Sequence, residues 1–300
     1  MADPQSSQRP RRSVLYMPGA NERALEKAKT LETDALILDL EDAVAPDAKS
    51  QARERVCAAA TSGEYGDREI TIRINGLGTQ WHDADLAAAV AAKPAAIVVP
   101  KVNSADEVRR LDAAITAAGG DETIALWAMI ETPEAVAKVA DIARASDRLQ
   151  VLVMGTNDLV AELHAAHVPG RTPILTALSL CVMAARDAGK QLLDGVYNDV
   201  KNPEGFAAEC LQGRQFGFDG KTLIHPSQLE PANRLFAPSP AEVEHANAVI
   251  AAFDEATAAG KGVATVNGKL IENLHVADAH RILALASAAG ITVTSSEGQP

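Results

Sequence analysis

The feature that most constrains this chain is a rhythm. Eight short apolar runs, VLYM (14–17), ALILDL (35–40), TIRI (71–74), AIVVP (96–100), TIALWAMI (123–130), LQVLVM (149–154), QLLDGV (191–196) and TLIHP (222–226), begin 21 to 42 residues apart. Each has Gly, Pro or Asp at or within two residues of an end. Most are continuous Leu-rich or β-branched runs without strict alternation, the pattern of strands buried on both faces. Between them lie Ala-rich segments with helical spacing, among them Asn21–Thr30, Ala84–Ala91, Ser104–Ala118, Pro133–Arg144 and Thr176–Ala188. Parallel strands need long crossovers, usually helical, so the alternation predicts an α/β fold. Eight such units suggest a closed (βα)8 TIM barrel. A doubly wound sheet shares the rhythm, but no Gly-rich dinucleotide fingerprint follows the first run.

Beyond the eighth run the texture changes. Pro238-Ser-Pro240 breaks the pattern, Ala241–Ala259 reads as one long helix, and GKG at 260–262 ends it. A short VATVNGKLI stretch and a last helix from about Val276 to Ala289 come next, and the tail SSEGQP is expected to be disordered. The domain reading is therefore a catalytic barrel over 12–237 and a helical, lid-like C-terminal extension over 238–293. An extension of roughly 60 residues is too small for a strong core of its own, so it is expected to pack on its barrel or on a neighbouring subunit.

Composition removes several function classes. A net charge of −12 repels a phosphate backbone, and 3% aromatic residues leave little for base stacking, so nucleic acid is an unsuitable partner. An anionic ligand must find a local basic patch. No run approaches the ~20 apolar residues of a membrane helix. The leading MADPQSSQRPRR lacks an apolar signal core, and Cys57, Cys181 and Cys210 lack CxxC spacing. A reduced, cytoplasmic protein is expected.

In such a barrel, polar residues at the C-terminal ends of strands carry the chemistry. Those ends are Glu41-Asp42 on the second run, Arg73 and Asn75 on the third, Lys101 on the fourth, Glu131 on the fifth, Asp158 on the sixth and His225 on the eighth. Glu131 and Asp158 each come after an otherwise apolar run. Two carboxylates, completed by water and a chelating substrate, suit Mg²⁺; alternatively, each is a first-turn helix acid, as in ETPEA. Arg73 is either a buried partner of Asp39, Glu41 or Asp42 or a clamp for an oxyanion, and the two roles are compatible. Lys101 reads as an ion-pair residue beside the site; nothing around it shows the desolvation that would activate a Schiff-base lysine. After PGA, Asn21, Arg23, Lys27 and Lys29 open a helix and offer an anion both backbone N–H groups and cations, though exposed Lys and Arg more often form a solvated face.

Seven ordered segments bear on identity: SVLYMPGANERALEKA, LILDLEDAVAPDAKSQAR, TIRINGLGTQW, VVPKV, AMIETPEAV, MGTNDL and FDGKTLIHPSQL. Together they resemble the CoA-ester lyases of the HpcH/HpaI aldolase superfamily, which includes citrate lyase β subunits, malyl-CoA lyases and citramalyl-CoA lyases. The resemblance runs over about residues 12–290 and is specific for the superfamily rather than for the substrate. It implies Mg²⁺ on Glu131 and Asp158, with Arg73 on the thioester carbonyl and the enolate that develops from it. It implies Glu41 and Asp42 ordering water around the ion, CoA or substrate contacts from Asn21, Arg23, Lys27, Gly155 and His225, and homotrimers or hexamers. In the family a C-terminal segment covers a neighbouring subunit's site and supplies an Asp as acid/base. The matching stretch here is Gly268-Lys269-Leu270-Ile271-Glu272, one methylene longer. Proton transfer needs contact within about 2.6–3.2 Å. Either the segment shifts to suit, or this branch performs a modified reaction.

The activity implied is reversible Claisen cleavage of a malyl-CoA- or citramalyl-CoA-class ester into acetyl-CoA and a 2-oxo acid. The alternatives are a citrate lyase β subunit acting on a carrier-bound citryl thioester and a malyl-CoA thioesterase. A non-catalytic CoA-binding scaffold is a further alternative, against which Arg73, Glu131 and Asp158 together argue.

Overall fold

Residues 9–291 are described by the structure, a computed structural model. The expectations for the leading segment before residue 9 and for the tail SSEGQP lie outside these residues. The apolar runs become β1 Ser13–Pro18, β2 Ala35–Asp39, β3 Glu69–Arg73, β4 Ala96–Val99, β5 Ala125–Ile130, β6 Leu149–Met154, β7 Gln191–Asp194 and β8 Gly220–Leu223. They pair in chain order, all parallel, and β8 returns to β1 to close the barrel. The fold is a (βα)8 TIM barrel.

Helices fill the crossovers: α1 Glu22–Ala28, α2 Lys49–Thr61, α3 His82–Ala92, α4 Ala105–Ala117, α5 Pro133–Ala137, α6 Val139–Ala143, α7 Thr156–Glu162, α8 Leu175–Asp187, α9 Pro203–Phe216 and α10 Leu229–Phe236. Their starts are set by the sequence. Asn21, Ser104, Thr132 and Asn202 each accept a backbone N–H of the first turn, and Pro133 and Pro203 take the first helical position, where no N–H is needed. The helix expected over Pro133–Arg144 is two pieces, because the backbone leaves helical geometry at Lys138 (φ −111°, ψ 10°). The eighth strand ends at Leu223, short of its expected end, because His225 caps a 3-10 turn, Pro226–Gln228, that Pro226 opens.

Strand side chains alternate between two cores. Val14, Ala35, Ile37, Val98, Trp127 and Val153 belong to one cluster, which fills the barrel. Their strand neighbours Leu15, Leu36, Leu38, Ile97, Leu126 and Leu152 belong to the other, between strands and helices. At the N-terminal end of the barrel Arg11 makes a two-point ion pair with Glu69 (2.6 and 2.7 Å) and lies over the Trp127 ring.

Residues Arg11–Phe236 form one compact unit; among the described residues, those from Ala237 onwards form a second with Arg9 and Pro10. The second unit consists of α11 Pro240–Ala258, an antiparallel hairpin of β9 Ala264–Val266 and β10 Lys269–Ile271, and α12 Asn273–Ala288. Asn267 and Gly268 both take positive φ at the hairpin turn (50° and 77°), as a tight two-residue connection demands. Its own small core includes Ala246, Val249, Val266, Ile271 and Ala279. Among the described residues no helix is long and apolar enough to cross a membrane.

Candidate active site

The parity that sends Val14, Ile37, Trp127 and Val153 inward also sets the facing of the residues beyond them on each strand. Two residues further along, Tyr16, Asp39, Met129 and Gly155 face the same way, and β3 contributes Arg73 by register, since Asp39 and Arg73 are direct strand partners. A cavity of about 350 Å³ opens at this C-terminal end, lined by Tyr16, Asp42, Arg73, Glu131, Gly155 and Asp158 among others.

Arg73 anchors the cavity. Its Nε and Nη2 donate to the two oxygens of Asp39 at 2.6 and 2.7 Å, the bidentate geometry a guanidinium favours. Its carbon lies 4.9 Å from the Tyr16 ring centroid. Burial pulls the Arg73 pKa down, but Asp39 and Glu41 outweigh it and hold the pKa well above the ordinary value. Asp39 also accepts the backbone N–H of Glu41 (2.9 Å) and of Ala43 (3.1 Å), which shapes the loop after β2. Lys49 secures that loop further, donating to the carbonyls of Leu40 and Glu41 and to Asn75 Oδ1, each at 2.7 Å.

Glu131 is 2% exposed and accepts the Lys101 backbone N–H at 2.7 Å. Burial, reinforced by the charges of Asp158 and Glu41, pushes its pKa up to about 8. Asp158 faces the same cavity and pairs with Lys101 Nζ at 2.9 Å. Glu41 is pushed up to about 7 by burial first, with Asp42, Asp39 and Asp158 adding and Arg73 opposing. Its Oε2 sits 2.6 Å from Arg73 Nη1 but off the N–H direction, so this buried oxygen has no hydrogen bond.

These features fit a hard divalent cation. Glu131 and Asp158 face one cavity, and the burial that raises the Glu131 pKa is a cost that a bound cation would offset. Among the described residues no group of three or more His, Cys, Asp or Glu side chains converges as a metal site. An ion here would therefore take two protein carboxylates and fill its octahedron with water and ligand oxygens, the habit of Mg²⁺. Gly155 completes the cradle: a Cβ there would overlap the Glu131 carboxylate.

The structure thus brings Arg73, Asp42, Glu131, Gly155 and Asp158 around one cavity, with Glu41 packed against Arg73. Asn21 caps α1, and Arg23 and Lys27 lie exposed on that helix; none of the three lines the cavity. His225 does not line it either: its Nδ1 accepts from Ser227 N at 3.2 Å and contacts Ser227 Oγ at 2.8 Å, a local turn role. Glu272 belongs to the C-terminal unit, where it precedes α12 and its N–H donates to His275 Nδ1 at 3.0 Å. Sequence reasoning missed Tyr16 and Lys49 and treated Asp39 only as a partner. A carboxylate in the middle of ALILD was the available signal for Asp39.

Comparison with known proteins adds to this geometry. The family model for HpcH/HpaI aldolase/citrate lyase matches residues 12–226. The chain belongs to that family. The citrate lyase β subunit of Escherichia coli is 36% identical over 292 residues, covering 96% of this chain and 97% of its own. A (3S)-malyl-CoA thioesterase of Cereibacter sphaeroides is 50% identical over 279 residues, covering 93% and 95%. The CitE protein of Mycobacterium tuberculosis, solved in complex with magnesium, acetoacetate and coenzyme A, superposes with a TM-score of 0.75 at 27% identity, covering 94% of this chain and 99% of that one. This chain is accordingly a citrate lyase β-like enzyme of the CoA-ester lyase group.

Proposed function

We propose that this enzyme is Mg²⁺-dependent, acts on 3-hydroxy-acyl-CoA thioesters of the malyl-CoA class, and hydrolyses the thioester to the free acid and CoA. The observation that carries the reading is the preset Arg73 beside Glu131 and Asp158, in a chain half identical to malyl-CoA thioesterases. Asp39 fixes the guanidinium in a water-poor setting, so it is positioned in advance to stabilise a thioester carbonyl and the oxyanion that forms when the carbonyl is attacked. Glu131 and Asp158 would hold Mg²⁺. When bound, the ion supplies Lewis-acid charge to the hydroxyl and carboxylate oxygens of the acyl group. Asp42, at the mouth, and Glu41 order water around that charge. In this reading Glu272, supplied by a neighbouring subunit as the family resemblance implies, positions or deprotonates the attacking water, the modified role that its longer side chain suggested. Arg23 and Lys27 form the basic patch for CoA phosphates, with Asn21 beside them, and the protein works as a cytoplasmic homotrimer or hexamer.

Carbon–carbon cleavage of the same esters is the second reading, favoured by the citrate lyase β relative. There Arg73 stabilises the acetyl-CoA enolate and Glu272 protonates it. Mass-spectrometric product analysis with malyl-CoA, with and without Mg²⁺, separates the two: hydrolysis gives malate and CoA, and cleavage gives glyoxylate and acetyl-CoA. Absence of turnover on any free CoA ester would favour a carrier-protein substrate instead. Replacing Glu131 or Asp158 with Ala is expected to abolish Mg²⁺-dependent turnover, and retained activity in either variant overturns the assignment of metal ligands.

A further inference from the structure

Lys101 touches both proposed metal carboxylates by different means. Its backbone N–H donates to Glu131 Oε1 at 2.7 Å, and its ammonium lies 2.9 Å from Asp158 Oδ1. One residue spans both because its backbone sits in the left-handed region, at φ 51°, a conformation disfavoured for any residue with a Cβ. The two contacts differ in permanence. The backbone donor is fixed by the turn after β4. The ammonium sits on a flexible stem whose side chain is 49% exposed, so it can return to water at little cost.

We propose that the Lys101 ammonium is a built-in competitor for the divalent cation: it neutralises Asp158 when no ion is present and is displaced when the ion binds. This rests on the reading of Glu131 and Asp158 as the metal carboxylates. An ammonium and a divalent ion at one carboxylate repel each other, and a single pair of acids cannot be shared without loss. Metal binding at this site is then an exchange of cations. The exchange lowers affinity, and it shields the paired acids from each other in the metal-free protein. The Lys101 backbone N–H stays on Glu131 throughout and keeps that carboxylate oriented.

The test is calorimetric titration of MgCl2 into the full-length protein and into Lys101→Met and Lys101→Arg. Removing one positive charge a few ångströms from the ion is expected to tighten Mg²⁺ binding about tenfold in Lys101→Met, while Lys101→Arg stays near wild type. Lys101→Met should also melt lower than wild type without Mg²⁺ and gain more in melting temperature at saturating MgCl2. Equal or weaker binding by Lys101→Met overturns the proposal and would make Lys101 a support of the site rather than its competitor. A wild-type titration that Glu131→Gln and Asp158→Asn leave unchanged overturns the metal reading itself, a separate outcome.

Discussion

Gly155 shows how narrowly a single residue can be determined. The volume its side chain would fill is occupied by the Glu131 carboxylate, so Gly155→Ala is expected to keep the barrel's circular dichroism but to lose at least tenfold in Mg²⁺ affinity and turnover. Unchanged Mg²⁺ titration in that variant would separate Gly155 from the metal cradle. Arg73→Lys keeps a charge but cannot reproduce the two-point bond to Asp39. Turnover is expected to fall about 10²–10³-fold, as for loss of an oxyanion donor. Stability should fall by about 3 kcal/mol, because Asp39 loses a buried partner; urea unfolding reads the second effect independently of activity. At this scale Arg73, Glu131 and Asp158 were legible because each is a polar residue that interrupts or closes an apolar run. Tyr16 and Lys49 were not. Tyr16 is camouflaged inside VLYM, and Lys49 starts a helix rich in other charges, so only the folded loop after β2 reveals what its ammonium holds.

Individual elements divide the work between chemistry and support. Behind β7 and β8, Asp194 is fully buried and pairs with Arg171 Nη1 at 2.7 Å and with Lys221 Nζ at 3.0 Å, while Lys221 also reaches Glu209 on α9 at 2.8 Å. Burial raises the Asp194 pKa, but Lys221 and Arg171 outweigh it and hold the carboxyl below its ordinary value. This cluster ties two strands, α9 and the Pro169–Ile174 segment together without touching Arg73 or Glu131. Asp194→Asn is therefore expected to cost about 3–5 kcal/mol in urea unfolding, with the KM for the thioester nearly unchanged in the protein that remains folded. A large KM change with little loss of stability would move the cluster into the site. Existence and order of the strands could be read from apolar runs, but the break at Lys138 and the early end of β8 could not, because both arise from cap and turn geometry around Lys138 and Pro226.

For the molecule as a whole, two buried thiols are expected to contribute to the loss of stability at alkaline pH. Burial pushes Cys181 up to about 12 from an ordinary 9.0, and Cys210, also chiefly through burial, up to about 12. Between those values the folded chain retains protons that the unfolded chain has lost, so stability is full below about pH 9 and falls as pH rises toward 12. Urea midpoints at pH 8 and pH 10.5 should show this drop, and Cys181→Ala, less stable at both, should show a smaller one; an equal drop would assign the alkaline limb elsewhere. The barrel was legible at this scale because its βα rhythm is a property of the whole chain. The antiparallel hairpin before Glu272 was not, because three-residue strands such as Ala264–Val266 are too short to carry a periodic signal.

The direct register of Asp39 on Arg73 has one more consequence. A slip of β3 by one residue would turn Arg73 out of the barrel and leave a charge facing the apolar layer beneath the helices, while Asp39 stayed inside without its counterion. The ion pair therefore works as a key cut into the second and third strands. Only the alignment that builds the reactive centre also lets the barrel close without stranded charge, so a molecule that has folded has already been proofread for catalysis.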